Sequence, residues 1–243
     1  MYGLYGLIST YNLLNRKHPL HIFGPEKLED ILNNHVALFE KKLHFPIIFH
    51  VVDPIRNEII YQDDKLIVES IPLKHKIPSC GFLFKETPYL RNIKKEAIEK
   101  YNIPLRDIHG IKEGKDFKTE DGDVIPNKKL TKPAYRSRSY AYCSDTAYTE
   151  QITPIIKEVD CLFHEATYLE EMKRMAVKTG HSTAADAAKI AKKAGVKKLI
   201  IGHFSARYKN LLKHKKEAQE IFPGAILAED GMNISIPLMR EAD

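Results

Sequence analysis

Cysteine is scarce in this chain: Cys80, Cys143 and Cys161 are the only three among 243 residues. No two of them stand at the Cys-x-x-Cys spacing of a zinc ribbon or thiol redox pair, and an odd, scattered set offers no disulfide framework. Cys143 and Cys161 fall in strand-like segments, where cysteine acts as a small hydrophobe, and a reducing cytoplasm is the expected location. Long apolar runs are lacking too. None approaches the roughly 18 residues of a membrane span, and the N-terminus has no basic region, apolar core and cleavage site of a signal peptide. The sequence therefore predicts a soluble protein with no membrane partner. The sequence shows no internal repeat and no low-complexity segment. Charge of one sign dominates only weakly, because 38 Lys and Arg against 32 Asp and Glu give a formal net charge of +6. That balance permits a polyanionic partner without demanding one.

What is present is an α/β rhythm. A hydrophobic fraction of 43% over 243 residues suffices for one large domain with a substantial core, or two small ones. Apolar periodicity predicts helices over residues 2–16, 26–41, 169–177, 183–194 and 210–221, with mostly helical character over 149–159. Short Ile/Val-rich runs predict strands at 20–23, 81–84, 140–143, 161–163, 198–201, 225–228 and 233–236. Those at 47–52, 58–61 and 66–73 are split by Asp53-Pro54 and Asp63-Asp64 turns and read as hairpin-connected. Thr183 and Asp186 stand like a capping box, with Gly195 as the stop. The first helix has neither a strand nor a capping residue leading into it, and reads as the middle of a fold.

Residues 85–132 differ in character. Pro88, Pro104 and Pro126 interrupt them, apolar periodicity weakens, and 12 basic side chains face 9 acidic ones. They read as an inserted arm rather than core, with one short helix near 93–101. Lys112, Lys115 and Lys118 beside Phe117 are compatible with phosphate contacts, although a solvated excursion has the same composition.

Chemistry-bearing residues gather where apolar runs stop: His75, Asp145, His164, Glu165, His181 and His203. Residues just past parallel strands converge on one rim of a sheet, where ligands bind. Imidazole and carboxylate donors together suit zinc or manganese, and a carboxylate can bridge two metals that activate one water. Singly, each residue has an ordinary structural role as well, such as helix capping for Asp145.

Several segments carry a resemblance to a known family: Pro72-Leu73-Lys74-His75 with Gly81-Phe82, Ser144-Asp145-Thr146, Phe163-His164-Glu165-Ala166-Thr167, Gly180-His181-Ser182-Thr183 and His203-Phe204-Ser205-Ala206-Arg207-Tyr208. In order and spacing these resemble ribonuclease Z, the tRNA 3′-processing endonuclease of the metallo-β-lactamase fold, from residue 2 to nearly the end. The resemblance implies one α/β domain over 1–243, an αββα sandwich with two zinc ions. It implies His75 as ligand of one zinc, His203 of the other, and Asp145 bridging both. Glu165 and His181 become the pair in which the carboxylate orients the imidazole and the imidazole protonates the leaving ribose oxygen, while His164 gives structural support. Residues 85–132 become the arm that grips precursor tRNA, with Arg207 a further substrate contact. A homodimer in which one arm presents tRNA to the other subunit is also implied.

Two departures stand out. Leu105-Arg106-Asp107 replaces a Gly-Pro pair often found in the arm. The family's His-x-His-x-Asp-His motif is absent, and His18-Pro19-Leu20-His21 does not substitute for it. Because that motif lies before a helix like residues 2–16, the chain is expected to start after it, N-terminally incomplete and without the opening strands. Each zinc would then have two protein ligands here instead of the three that a catalytic site keeps, so weak zinc binding and little or no cleavage are expected. An inactive tRNA-binding or dimerisation module of the same family, or another hydrolase of this fold, are the alternatives.

Overall fold

The computed structural model describes residues 2–39 and 42–240. Helix α1 (Tyr2–Leu13) turns Leu4, Tyr5, Ile8 and Tyr11 to one side, the i, i+4, i+7 spacing of a helical face. Strand β1 (Leu20–Gly24) comes next, then α2 (Glu26–Phe39), whose Leu28, Leu32 and Val36 repeat at four-residue intervals, and strand β2 (Ile47–Val51). The two helices close over Ile22, Phe45, Ile47 and Phe49, so this region carries a core of its own. Lys41, the expected end of α2, lies outside the described residues.

Strand β2 departs from the hairpin expected of residues 47–61. It makes no ladder with the strand after it and pairs instead in parallel with β1, from Leu20 opposite Ile47 to Gly24 opposite Val51. The intervening helix makes the crossover that a parallel pair requires.

The main sheet has seven strands. β3 (Ile59–Gln62), β4 (Leu66–Pro72) and β5 (Cys80–Glu86) form an antiparallel meander. The chain then leaves through β6 (Asn92–Ile93), α3 (Lys95–Lys100), α4 (Leu105–Lys112), β7 (Phe117–Lys118), β8 (Val124–Ile125), α5 (Asn127–Leu130) and β9 (Thr131–Lys132). It returns as β10 (Ser139–Cys143), β11 (Cys161–Glu165), α6 (Lys173–Thr179), α7 (Ala184–Ala194), β12 (Leu199–Gly202), α8 (Leu212–Ile221) and β13 (Ile226–Leu227). The spatial order is β13-β12-β11-β10-β5-β4-β3. β10 to β13 run parallel, and β10 is antiparallel to β5. Since β5 is also antiparallel to β4, the chain leaves β4, β10, β11 and β12 along one common rim. At Gly81 a Cβ would lie 2.3 Å from the carbonyl oxygen of Tyr142, so the close approach of β5 to β10 there requires glycine.

The core sits between this sheet and α7. Ala184, Ala187, Ala188, Ala191 and Ala194 form the buried face of that helix, and their small side chains let it pack closely on Leu162, Leu199 and Ile201. Thr183 and Asp186 make the expected capping box, and Gly195 ends the helix in the left-handed conformation. Cys143 is fully buried here, and burial pushes its thiol up to about 12, as expected of an inert small hydrophobe.

Other expectations are revised. Residues 149–159 hold a single 3₁₀ turn, Glu150–Ile152, because Pro154 has no N–H for the next helical bond. Residues 233–236 join no ladder; Lys198 Nζ donates to the carbonyl of Ser235 and Arg138 Nη1 to that of Ile236, so side chains take the place of a neighbouring strand. The stretch 85–132 holds three helices, not one, around a cluster of Ala97, Ile103, Ile111, Phe117 and Leu130. Buried Asn127 ties that cluster together, its amide donating to the carbonyls of Ile111 at 2.7 Å and Lys115 at 2.8 Å. Leu105-Arg106-Asp107 simply opens α4 after Pro104. No helix among the described residues is long and apolar enough to cross a membrane.

Candidate metal centre

Four strand ends meet at the common rim. Asp145 stands two residues beyond β10, Glu165 ends β11, His203 directly succeeds β12, and His75 lies three residues beyond β4. His181 arrives from the turn between α6 and α7. Asp145 and His203 both hold left-handed backbone, with φ +55° and +60°. Such conformations cost about 1–3 kcal/mol each in a side chain with a Cβ, and they persist where surrounding structure enforces them. At Asp145 the surrounding bonds are visible: Ser79 Oγ donates to the Asp145 carbonyl at 3.2 Å, and Ala147 N donates to the Lys74 carbonyl at 2.7 Å.

Glu165 is fully buried and is the hub of the site. Its Oε1 accepts from Thr146 N and from His181 Nδ1, each at 2.7 Å. Its Oε2 accepts from Thr167 Oγ1 at 2.6 Å, Ser182 N at 3.0 Å and Thr167 N at 3.3 Å. Five donors consume the acceptor capacity of a carboxylate, so Glu165 orients its neighbours and has little left for a cation. The bond from His181 commits that ring's Nδ1 and leaves Nε2 free, at a side-chain exposure of 17%.

The donor atoms of Asp145, Glu165, His181 and His203 all lie within 4.8 Å of one another. His203 Nε2 is 3.3 Å from Asp145 Oδ1. His203 Nδ1 lies 2.9 Å from Thr167 Oγ1, and its Nε2 faces a carboxylate oxygen. An imidazole nitrogen and a carboxylate oxygen this close are donors that one metal ion could share. His75 is outside this group of four, though its ring centroid is 5.0 Å from that of His181. Its Nδ1 donates to the carbonyl of Gly180 at 2.8 Å, again leaving Nε2 as the ligating nitrogen. His164 lies on the opposite face of β11 from Glu165, fully buried, and its Nδ1 donates to the Glu165 carbonyl at 2.7 Å. Burial lowers its pKa, and it joins no ligand group.

The residues proposed for substrate lie further out. Arg207 is exposed, its guanidinium 5.0 Å above the Tyr168 ring and its Nε bonded to Ser205 Oγ at 3.0 Å. Lys112 closes α4, Lys118 ends β7, and Lys115 lies between them, 3.6 Å from Glu113. None of these lysines belongs to the group at the rim. Sequence reasoning missed Thr146, Thr167, Gly180 and Ser182, which supply the partners of Glu165, His75 and His203. Each lies within two positions of a site residue in the segments that carry the resemblance.

Known proteins point the same way. A family model described as a beta-lactamase superfamily domain matches residues 86–204. Ribonuclease Z of Parabacteroides distasonis is 48% identical over 235 residues, covering 97% of this chain and 77% of the relative. Ribonuclease Z of Porphyromonas gingivalis is 45% identical over the same shares. Among solved structures, human tRNase Z, short form, aligns with a TM-score of 0.64 at 24% identity, covering 98% of this chain and 74% of that one. A metallo-beta-lactamase fold protein of Bacillus subtilis aligns at 0.57 with 16% identity, covering 95% and 70%. The fold is that of the metallo-β-lactamases. This chain carries it as a seven-stranded sheet plus the parallel pair β1-β2.

Proposed function

The chain belongs to the ribonuclease Z family, and from that premise we propose that its rim is the centre of a zinc-dependent endoribonuclease that removes the 3′ trailer of precursor tRNA and leaves a 3′-hydroxyl on the tRNA. The observation that carries this reading is the convergence of Asp145, Glu165, His181 and His203 within 4.8 Å at the ends of neighbouring strands. Zinc would be held by His75 on one side and His203 on the other, with Asp145 between them; the same nitrogen and oxygen donors would accept manganese. When bound, the metal supplies a Lewis acid that lowers the pKa of water and takes up charge on the phosphate.

Everything else falls to the side chains. With Nδ1 of His181 donating to the buried Glu165 carboxylate, Nε2 is the nitrogen left to face the substrate and hand on a proton. That proton goes to the ribose oxygen as its bond to phosphorus breaks. Arg207 braces the tRNA near the cut, and the arm over 85–132 holds phosphates through Lys112, Lys115 and Lys118. The working form is a cytoplasmic homodimer in which one arm presents tRNA to the partner's centre.

His75, Asp145 and His203 would give each zinc two protein donors, fewer than the three of a catalytic site. The 243-residue polypeptide by itself is therefore expected to bind zinc weakly and to cleave slowly or not at all. Zinc titration against a competing chelator, with wild type and Asp145→Asn, tests the centre: loss of binding in the variant supports it, and equal binding overturns it. Complete processing of a 3′-extended tRNA by this polypeptide would overturn the donor count. For the arm, log affinity for tRNA should fall against log salt with a slope of roughly −2 to −3 for three phosphate contacts, and a flat dependence refutes it.

A further inference from the structure

Building on the reading of Asp145 and His203 as a metal-binding pair, we infer that Thr167 is a positioning residue whose single hydroxyl proton couples the metal side of the centre to its proton-donor side. The side chain stands between the two halves. Oγ1 is 2.6 Å from Glu165 Oε2 and 2.9 Å from His203 Nδ1, with the His203 carbonyl at 3.0 Å.

The direction of each bond comes from counting protons. A hydroxyl has one proton to give and two lone pairs to receive. The Glu165 carboxylate, ringed by five donors, has none to give, so the proton of Thr167 goes to Oε2 in the shortest and charge-assisted contact. Toward His203 the hydroxyl can then only accept. That compels the imidazole to carry its proton on Nδ1 and to present an unprotonated Nε2 to Asp145 at 3.3 Å. With the other tautomer, Nε2 would bear a hydrogen and could not ligate.

Backbone pairing keeps the hydroxyl in reach. Glu165 pairs with Gly202 in the β11–β12 ladder, Ala166 N donates to the Gly202 carbonyl at 2.8 Å, and Ser205 N donates to the Thr167 carbonyl at 3.1 Å. The segments bearing the carboxylate and the imidazole are thus joined by backbone bonds both before Thr167 and at Thr167 itself. His75 obeys the same logic, its Nδ1 held by the carbonyl of Gly180, the residue before His181. Both metal-side imidazoles take their tautomer from the segments that carry the acid pair. Only at Thr167 is the link a side chain, and therefore removable.

The test needs no catalysis. Long-range ¹H–¹⁵N correlation spectra of the metal-free chain, with His203 assigned by its loss in His203→Ala, are expected to give the Nδ1–H tautomer in wild type and in Thr167→Ser. Thr167→Val, which keeps the shape and removes the hydroxyl, should shift His203 toward Nε2–H. In chelator competition the zinc dissociation constant should rise roughly 10–100-fold in Thr167→Val, the range seen when a ligand's orienting partner is lost, and stay near wild type in Thr167→Ser. An Nε2–H tautomer in the wild-type chain overturns the inference even if the valine variant does not fold; so does a valine variant with wild-type tautomer and affinity. Failure of the parent reading has another signature, namely zinc affinity unchanged in His203→Ala.

Discussion

Glu165→Gln alters charge and proton count at the hub of the site while leaving its volume nearly unchanged, and the cost can be worked out bond by bond. The amide has one acceptor oxygen and one NH₂ where two acceptors stood. If the NH₂ takes the place of Oε1, it faces Thr146 N and His181 Nδ1, both donors at 2.7 Å. If it takes the place of Oε2, Thr167 can turn its hydroxyl proton to the His203 carbonyl and accept from the amide. The second orientation is the better one, and it still leaves Ser182 N and Thr167 N pointing at a donor. An orphaned buried donor costs about 1–3 kcal/mol. The Thr167 N bond, at 3.3 Å, belongs at the low end, so the pair sums to about 3 kcal/mol. For a chain of this size that corresponds to a fall of roughly 6–12 °C in Tm. Urea and thermal unfolding of metal-free protein at neutral pH, monitored by circular dichroism, measures it. A loss below about 1 kcal/mol would mean that the five donors do not depend on a carboxylate, and the account of the hub would fail.

Two further substitutions probe the surroundings. Gly180 has φ +81°, and a Cβ there would meet His75 Nδ1 at 2.9 Å; Gly180→Ala should cost about 1–2 kcal/mol in backbone strain and also weaken zinc binding by displacing His75. Gly231→Ala, at φ +79° with open space around it, should show the strain alone, and equal zinc affinities in the two variants would refute the steric argument. His214 is fully buried between Phe204 and Tyr208, with ring centroids at 5.0 and 4.6 Å, and neither of its nitrogens meets a hydrogen-bonding protein atom. Burial lowers its pKa below 6.5, so the unfolded chain takes up a proton first as pH falls. Its contribution to stability is complete above pH 6.5 and declines below it, with a limiting slope of about 1.4 kcal/mol per pH unit. Urea melts at pH 7 and pH 5 should differ less in His214→Phe than in wild type; an unchanged difference would locate the acid sensitivity elsewhere.

Local chemistry was the readable part of this chain. Thr183, Asp186 and Gly195 mark both ends of α7, and the apolar runs at 66–73 and 198–201 mark strands to within a residue at each end, because caps and short apolar runs are properties of neighbouring residues. Pairing across distance was not readable. Nothing near Ile47 says that its partner is Leu20 and not Ile59. The apolar residues of 85–132 show no period because they come from several short elements that meet at one cluster. At the site, the residue types at strand ends pointed to the rim, and Asp145, Glu165, His181 and His203 do come together there. The bonds that orient the site residues, His75 included, span up to 105 residues, from His75 to Gly180, and their partners are ordinary threonines, a serine and backbone groups with no spacing rule of their own. His75, read as their equal, stands beside His181 but outside the group of four.

The left-handed backbone at Asp145 and His203 bears on how such a protein can be improved. Glycine adopts that conformation without penalty, so Asp145→Gly and His203→Gly are among the substitutions that relieve strain most directly. A laboratory selection for heat resistance alone would tend to accept them and dismantle the rim in doing so. Any such campaign should hold these two positions constant and look for gains in the loops far from the strand ends.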